Sequence, residues 1–301
     1  MIQELITKEG LIRTALTFPP DVRESKTLVR WYMCSVILRY YLGKDWLLAN
    51  VAQDDEGSQP PGFFRLDFST DIQRELKTAR ALELAEMMFN LQHAAGFQAR
   101  MKQLRTGQFE ATFAELDTAR FLHMHDLDFK FVIPSGVKGK DYDYEITYSD
   151  DRVVCADTKC RIEGQELRPE TIETTLNHAR RQNLPKKEPG VIFLKVPSAA
   201  YADPNNREAI PRVVNKFLAG TGRIVSVVVY STLTEYDSSS QMIRHSHSFD
   251  EFANKKHRFD MSKNWRLFVE GRVKKRWSGM PEKWVQLFSV ELGSEQDRRP
   301  V

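Results

Sequence analysis

The chain of 301 residues carries 44 basic and 41 acidic side chains, a formal net charge of +3, and 41% hydrophobic residues. That mix excludes a disordered or fibrous chain, and so small a positive excess does not announce a nucleic-acid partner. Three cysteines, Cys34, Cys155 and Cys160, suit a reducing compartment rather than a disulfide framework. No apolar stretch approaches the ~20 residues of a membrane helix. The opening Met1-Ile2-Gln3-Glu4-Leu5 lacks the pattern of a secretory signal, so the expected location is the cytoplasm.

The first hundred residues read as helical. Residues 25–42 place Leu28, Trp31, Tyr32 and Leu38 on one face and stop at Gly43, a plausible C-cap. Residues 53–62 form a loop by composition, and a long helix follows over 71–95, ending near Gly96. Residues 108–125 read as another helix. Three short strands follow at 129–133, 141–147 and 152–159, the last two joined by a hairpin at Ser149-Asp150-Asp151. Pro169 opens a helix to about residue 182. A mostly buried strand at 191–196, a helix at 211–218 and a strand at 224–230 complete the series, and beyond Ser231 the pattern gives no clear element. Helix, three strands, helix, strand, helix, strand predicts an α/β layer with a mixed sheet.

No phosphate loop, glycine-rich dinucleotide fingerprint or Gly-x-Ser-x-Gly elbow occurs. His123-Met124-His125 and His245-Ser246-His247 match no ligand spacing and read as core or surface histidines; Cys155 and Cys160 read as core thiols. The acids are more informative. Asp141, Asp143 and Glu145 share one face of their strand, and Asp157 and Lys159 share a face of the next, so carboxylates of two neighbouring strands can converge. A solvated edge with a cross-strand charge pair is the alternative.

An acidic-x-Lys tripeptide is nearly uninformative alone. It occurs as Glu24-Ser25-Lys26, Glu75-Leu76-Lys77, Asp128-Phe129-Lys130 and Asp157-Thr158-Lys159. Only the last follows both a carboxylate-bearing helix and a carboxylate-bearing strand. On that helix Phe109, Phe113, Leu116, Ala119 and Leu122 form one stripe, broken by Thr112, Arg120 and His123, and Glu115 falls within it. An inward carboxylate needs a cation or hydrogen-bond donors, unless its long side chain reaches past the margin to water.

Glu115 on a helix, Asp143 in Asp-Tyr-Glu-Ile and Asp157-Thr158-Lys159 together resemble the PD-(D/E)xK nuclease superfamily, the restriction-endonuclease-like fold. The resemblance covers about residues 106–232. It implies a helical N-terminal region, 1–105, joined to a nuclease domain, 106–301, whose last part, 233–301, is basic and aromatic. It also implies catalytic roles for Glu115, Asp143, Asp157, Lys159 and Gln182, the last by analogy with family branches that place a glutamine late in the following helix. Asp143, Asp157, the Thr158 carbonyl and Glu115 become the expected ligands of Mg²⁺, with Mn²⁺ as substitute. The family's proline before the first aspartate is absent, so Asp141 remains a rival to Asp143, and Asp157 stands where Glu is commoner.

The chemistry suits the residues. Mg²⁺ prefers oxygen ligands and keeps several waters, so two or three carboxylates suffice. Two carboxylates about 5 Å apart repel by roughly 3 kcal/mol at an effective dielectric of 20, and a bound cation reverses the sign. Residues 252–277 add nine Lys or Arg against Asp260 and Glu270, interleaved with Phe252, Phe259, Trp265, Phe268 and Trp277; Arg180, Arg181, Lys186 and Lys187 form a second cluster. The expected function is metal-dependent hydrolysis of phosphodiesters, with DNA favoured. The alternatives are an inactive nucleic-acid-binding module of the same fold, or a protein that acts through its helical half. Residues 1–105 are expected to pack on the core, dimerise or engage a partner.

Overall fold

A computed structural model describes residues 4–52, 71–107, 109–148, 152–161, 166–237, 242–270 and 283–287. The loop expected at 53–62, the hairpin turn at 149–151 and the basic stretch at 271–277 lie outside the described residues.

The N-terminal part is helical: α1 (Lys8–Leu16), α2 (Pro20–Glu24), α3 (Lys26–Leu42), α4 (Lys44–Leu47), a π-helical turn (Leu48–Ala52), α5 (Asp71–Leu91), α6 (Phe97–Arg105) and α7 (Phe109–Met124). Ser25 caps α3 by accepting from the Leu28 N–H, and Gly43 ends it at φ 94°, a conformation that suits glycine. The buried face of α3 is Val29, Met33, Cys34, Ile37, Leu38, Tyr41 and Leu42. Leu28 and Tyr32 are 40% and 42% exposed, so the face expected from Leu28, Trp31, Tyr32 and Leu38 is corrected. The helix is apolar nearly all round, and its burying face follows from the neighbours α1 and α5 rather than from its own pattern.

Residues 92–96 turn the chain between α5 and α6. Gly96 has φ 83°, and a Cβ there would sit 2.3 Å from the Phe131 carbonyl oxygen. Beside it, the Phe131 N–H donates to the Ala95 carbonyl at 2.9 Å. Gly96→Ala is therefore expected to cost about 2–4 kcal/mol in a urea titration, from left-handed strain plus displaced backbone. An unchanged midpoint would show that the approach relaxes freely.

Six strands form one mixed sheet in sequential order: β1 (Asp128–Phe131), β2 (Tyr144–Tyr148), β3 (Arg152–Cys160), β4 (Gly190–Lys195), β5 (Ile224–Asp237) and β6 (Met242–Ala253). Pairs β1·β2, β2·β3 and β5·β6 are antiparallel; β3·β4 and β4·β5 are parallel. The parallel pairs need crossovers, supplied by α8 (Pro169–His178) with a π-helical turn (Ala179–Asn183), and by α9 (Ser198–Ala202) with α10 (Pro204–Ala219). The chain is thus an α/β protein with a mixed sheet flanked by helices.

Alternation divides the sheet's side chains between two cores. Tyr144, Ile146, Val154, Ala156, Val191, Phe193, Val228 and Tyr230 pack with the N-terminal helices. Ile192, Leu194, Val227 and Val229 pack with Ile172 and Leu176 of α8 and Ile210, Val214 and Phe217 of α10. The helix α7 lies between the sheet and α5 and α6, and Phe109 and every residue from Thr112 to His123 are buried. This explains the imperfect stripe: the helix has little face toward solvent, so Thr112, Arg120 and His123 are enclosed as well.

Beyond Tyr230 the strand continues to Asp237 and β6 returns along it, with Tyr230 opposite Phe249. The pattern there is unclear because, among the described residues, β6 is an edge strand paired with β5. The described aromatics of this part, Phe252, Phe259, Trp265 and Phe268, belong to the core or pack against it. Trp265 and Phe268 are buried, Phe252 and Phe259 pack against the two cores, and Lys255, Lys256, Arg258, Lys263 and Arg266 face outward. Among the described residues no helix is long and apolar enough to cross a membrane.

Candidate active site

The pairing of β2 with β3 sets Tyr144 opposite Ala156, and the Asp143 N–H extends the ladder by donating to the Ala156 carbonyl at 2.9 Å. Asp143, just before β2, and Asp157, within β3, therefore stand side by side. The Thr158 N–H donates to Asp143 Oδ2 at 2.6 Å, Asn183 Nδ2 donates to Asp157 Oδ1 at 2.7 Å, and Lys159 Nζ pairs with Asp157 Oδ2 at 2.6 Å. Lys159 Nζ also donates to the Thr158 carbonyl at 3.3 Å. The Thr158 side chain turns the other way, to Thr118 Oγ1 of α7 at 3.1 Å.

Glu115 reaches this cluster from α7 through Arg100 of α6. Arg100 Nε lies 2.9 Å from Glu115 Oε2, and its Nη2 lies 3.8 Å from Asp143 Oδ1 while donating to the carbonyls of Val132 and Asp143. All of Arg100, Glu115, Asp143 and Asp157 are buried. A buried guanidinium with this many acceptors is a built feature, since an unpaired one would be far too costly to desolvate.

Three acids share the charge of two cations, and the proton affinities register it. Burial, then the charge of Asp143, holds the Glu115 carboxyl well above its usual range against the pull of Arg100. Burial and the neighbouring Asp157 push Asp143 up to about 7. Burial also raises Asp157, with Lys159 and Asn183 opposing. Burial alone would lower Lys159, but Asp157 and Asp143 outweigh it and raise the ammonium's proton affinity. The cluster thus favours added positive charge, as a proton or a cation.

The donor set fits a hard divalent cation: carboxylates of Asp143, Asp157 and Glu115, and the Thr158 carbonyl, are all oxygen. Asp143 and Asp157 each have one oxygen fixed by a neutral N–H donor and the other turned toward a cationic side chain. Among the described residues, however, no three His, Cys, Asp or Glu side chains are gathered as a metal-holding group. The positive charge here comes from Arg100 and Lys159, and Glu115 and Asp157 would have to exchange those contacts for a metal.

Two further expectations separate. Gln182 is exposed and contacts Gly139 through its backbone carbonyl, at 2.7 Å; Asn183 is the amide on Asp157. The cause is the π-helical turn at Ala179–Asn183, closed by the Leu184 N–H donating to the Ala179 carbonyl at 3.2 Å, which inserts one residue into the helical repeat and advances the residue facing β3. Asp141 lies at the surface, its Oδ1 accepting from the Ser135 N–H at 2.7 Å and hydroxyl at 2.8 Å, which hold its carboxyl below the usual range. Of the two rivals, Asp143 is the one in the cluster. Glu145 pairs outward with Lys130.

Sequence reasoning missed Arg100 and Asn183. Arg100 did leave a trace: Phe97, Arg100, Met101 and Leu104 have the spacing of a buried helix face, with a cation in the second place. His123, His247 and Cys155 stay outside the cluster. His123 is buried, His247 stacks on Phe121, and burial pushes the Cys155 thiol up to about 12. No family model matches the chain, and the comparisons with curated proteins and with solved structures return no match.

Proposed function

We propose that the chain is a divalent-metal-dependent phosphodiesterase of the PD-(D/E)xK, restriction-endonuclease-like kind, acting on nucleic acid with DNA favoured. The observation that carries this reading is the cluster of buried Asp143 and Asp157 with half-buried Lys159 at β2 and β3, joined to Glu115 through Arg100. Asp143, Asp157, Glu115 and the Thr158 carbonyl would hold Mg²⁺ or Mn²⁺. When bound, such an ion draws charge from the phosphoryl group and makes water more acidic.

The chain's own residues supply the rest. Lys159, whose Nζ lies 2.6 Å from Asp157 Oδ2 and donates to the Thr158 carbonyl, is placed to donate to developing negative charge. Asn183 and the Thr158 N–H fix the rotation of the two aspartates. Arg100 offsets the charge of Glu115 and Asp143, which lets three acids share a buried site.

The test is cleavage of supercoiled plasmid and end-labelled oligonucleotides by the full chain with Mg²⁺ or Mn²⁺, against EDTA. Wild type is expected to cut, and Asp157→Asn and Lys159→Met to lose cutting while keeping their unfolding free energies, from urea titration, within about 1–2 kcal/mol of wild type. Cleavage retained by both variants would remove this site from the chemistry. Nucleic-acid binding by a wild type that cuts nothing would favour the inactive binding module.

A further inference from the structure

The π-helical turn that presents Asn183 to Asp157 also forms one wall of an open groove of about 730 Å³. Six cations line it: Lys138, Arg180, Arg181, Lys186, Arg223 and Arg258, with Gly220, Thr221 and Gly222 between them. Among the described residues no acidic residue lines it, and none of the six is ion-paired with a carboxylate. In a chain with 41 acids and a net charge of only +3, this concentration of one sign is a local feature.

Several of these cations are held in place before any ligand arrives. Arg180 Nη2 donates to Asn177 Oδ1 at 2.7 Å, its Nη1 to the Gly220 carbonyl at 3.2 Å, and its guanidinium lies over the Phe217 ring at 5.4 Å. Arg258 donates to the Lys186 carbonyl and lies over Phe259. The Gly139 N–H donates to the Gln182 carbonyl, tying the Lys138 loop to the turn. Burial and the charges of Arg180 and Arg258 hold the Arg223 guanidinium below its usual proton affinity. Like charges fixed this close repel, and an anion would offset the cost.

We propose that this groove binds consecutive backbone phosphates of a polynucleotide strand and holds that strand beside the carboxylate cluster. Its volume far exceeds one phosphate, its cations are spread over four segments, and it shares the Ala179–Asn183 turn with the cluster. The proposal rests on the phosphodiesterase reading for its orientation, but binding can be measured without cleavage.

The test is fluorescence anisotropy of a labelled single-stranded 20-mer with the full chain in EDTA, over a salt series. The variants are Arg180→Ala/Arg223→Ala/Arg258→Ala; Lys138→Ala/Lys186→Ala, both residues exposed so that folding is unaffected; and, as a control, Lys44→Ala, an exposed lysine outside the groove. Each phosphate contact on a single strand contributes about 0.7 to the slope of log K against log salt. The triple variant is expected to lose about 2 from that slope and the double variant about 1.4, whereas Lys44→Ala, outside the groove, binds as wild type. Slopes unchanged in both groove variants would overturn the proposal. So would displacement of the 20-mer by inorganic phosphate at matched ionic strength, or equal competition by polyglutamate, which would mark a small-anion or acidic-peptide site. Groove-dependent binding by a chain that never cuts would sink the catalytic reading and leave this one standing.

Discussion

Asp117→Ala is expected to cost about 3–5 kcal/mol of folding stability, roughly a third or more of what a domain of this kind possesses. Asp117 lies on α7 two residues after Glu115, but on the side facing the middle of the sheet. Its carboxylate pairs with Lys195 at the end of β4 and with Arg120, accepts from Thr232 Oγ1 at 2.8 Å, and lies 3.5 Å from His247 Nε2. Arg120 in turn pairs with Glu83 of α5 at 2.7 Å. Asp117 and Glu83 thus face Lys195 and Arg120, with the Glu86 carboxyl also acting on Arg120. Removing Asp117 takes a carboxylate from both Lys195 and Arg120, and Arg120 is only 2% exposed. Although burial opposes it, the charges of Lys195 and Arg120 hold the Asp117 carboxyl well below its usual range. A depressed carboxylate contributes stability above its unfolded value, near 4, that is lost only on acidification below it. The cost should therefore be flat between pH 5 and 8. Urea titrations of Asp117→Ala against Glu173→Ala provide the check, because the exposed Lys216–Glu173 pair is worth only about 0–1 kcal/mol. Equal midpoints for the two variants would mean that α7 is held by its apolar contacts alone.

What the sequence made legible depends on how local each cause is. The strands β3 and β4 read correctly within a residue or two because they are β-branched and apolar runs between turn residues. Asp157 and Lys159 read correctly because period two is enforced by the pleat. Glu115 was visible only as an anomaly in a stripe, and its partner Arg100 lies in another helix, where no spacing rule connects them. Asn183 escaped because a π-helical turn is a one-residue insertion without a composition signature. The buried face of α3 was misjudged for a related reason: a helix that is apolar all round says that it is buried, not against what. The long β5·β6 pair was missed because half of it extends past β4 and so lacks the apolar run that marks an interior strand.

The same crowding that suggests a cation site should make the metal-free protein lose stability as pH rises from 5 to 8. Asp143 titrates near 7 when folded and near 4 when unfolded, so between those values the folded chain binds more protons. The slope of unfolding free energy against pH is then negative, by a total on the order of 2–4 kcal/mol for this residue. Glu115 and Asp157 act in the same direction, as does Glu86, which burial pushes up to about 7 at a separate position. His93, lowered by burial, acts in the opposite direction, so the informative quantity is the difference between wild type and Asp143→Asn. Asparagine keeps an acceptor for the Thr158 N–H but has no proton to lose, and its profile should be flatter. Millimolar Mg²⁺ should then stabilise wild type at pH 8 far more than at pH 5, where protons occupy the same oxygens, and should stabilise Asp143→Asn little at either. Thermal denaturation over the pH series reads both effects without reference to activity. Parallel profiles for the two proteins, or an equal Mg²⁺ increment in both, would show that Asp143 carries neither the proton nor the ion. A negative slope that disappears in Asp143→Asn and is reversed by Mg²⁺ in wild type would establish that a cation replaces a proton among these acids.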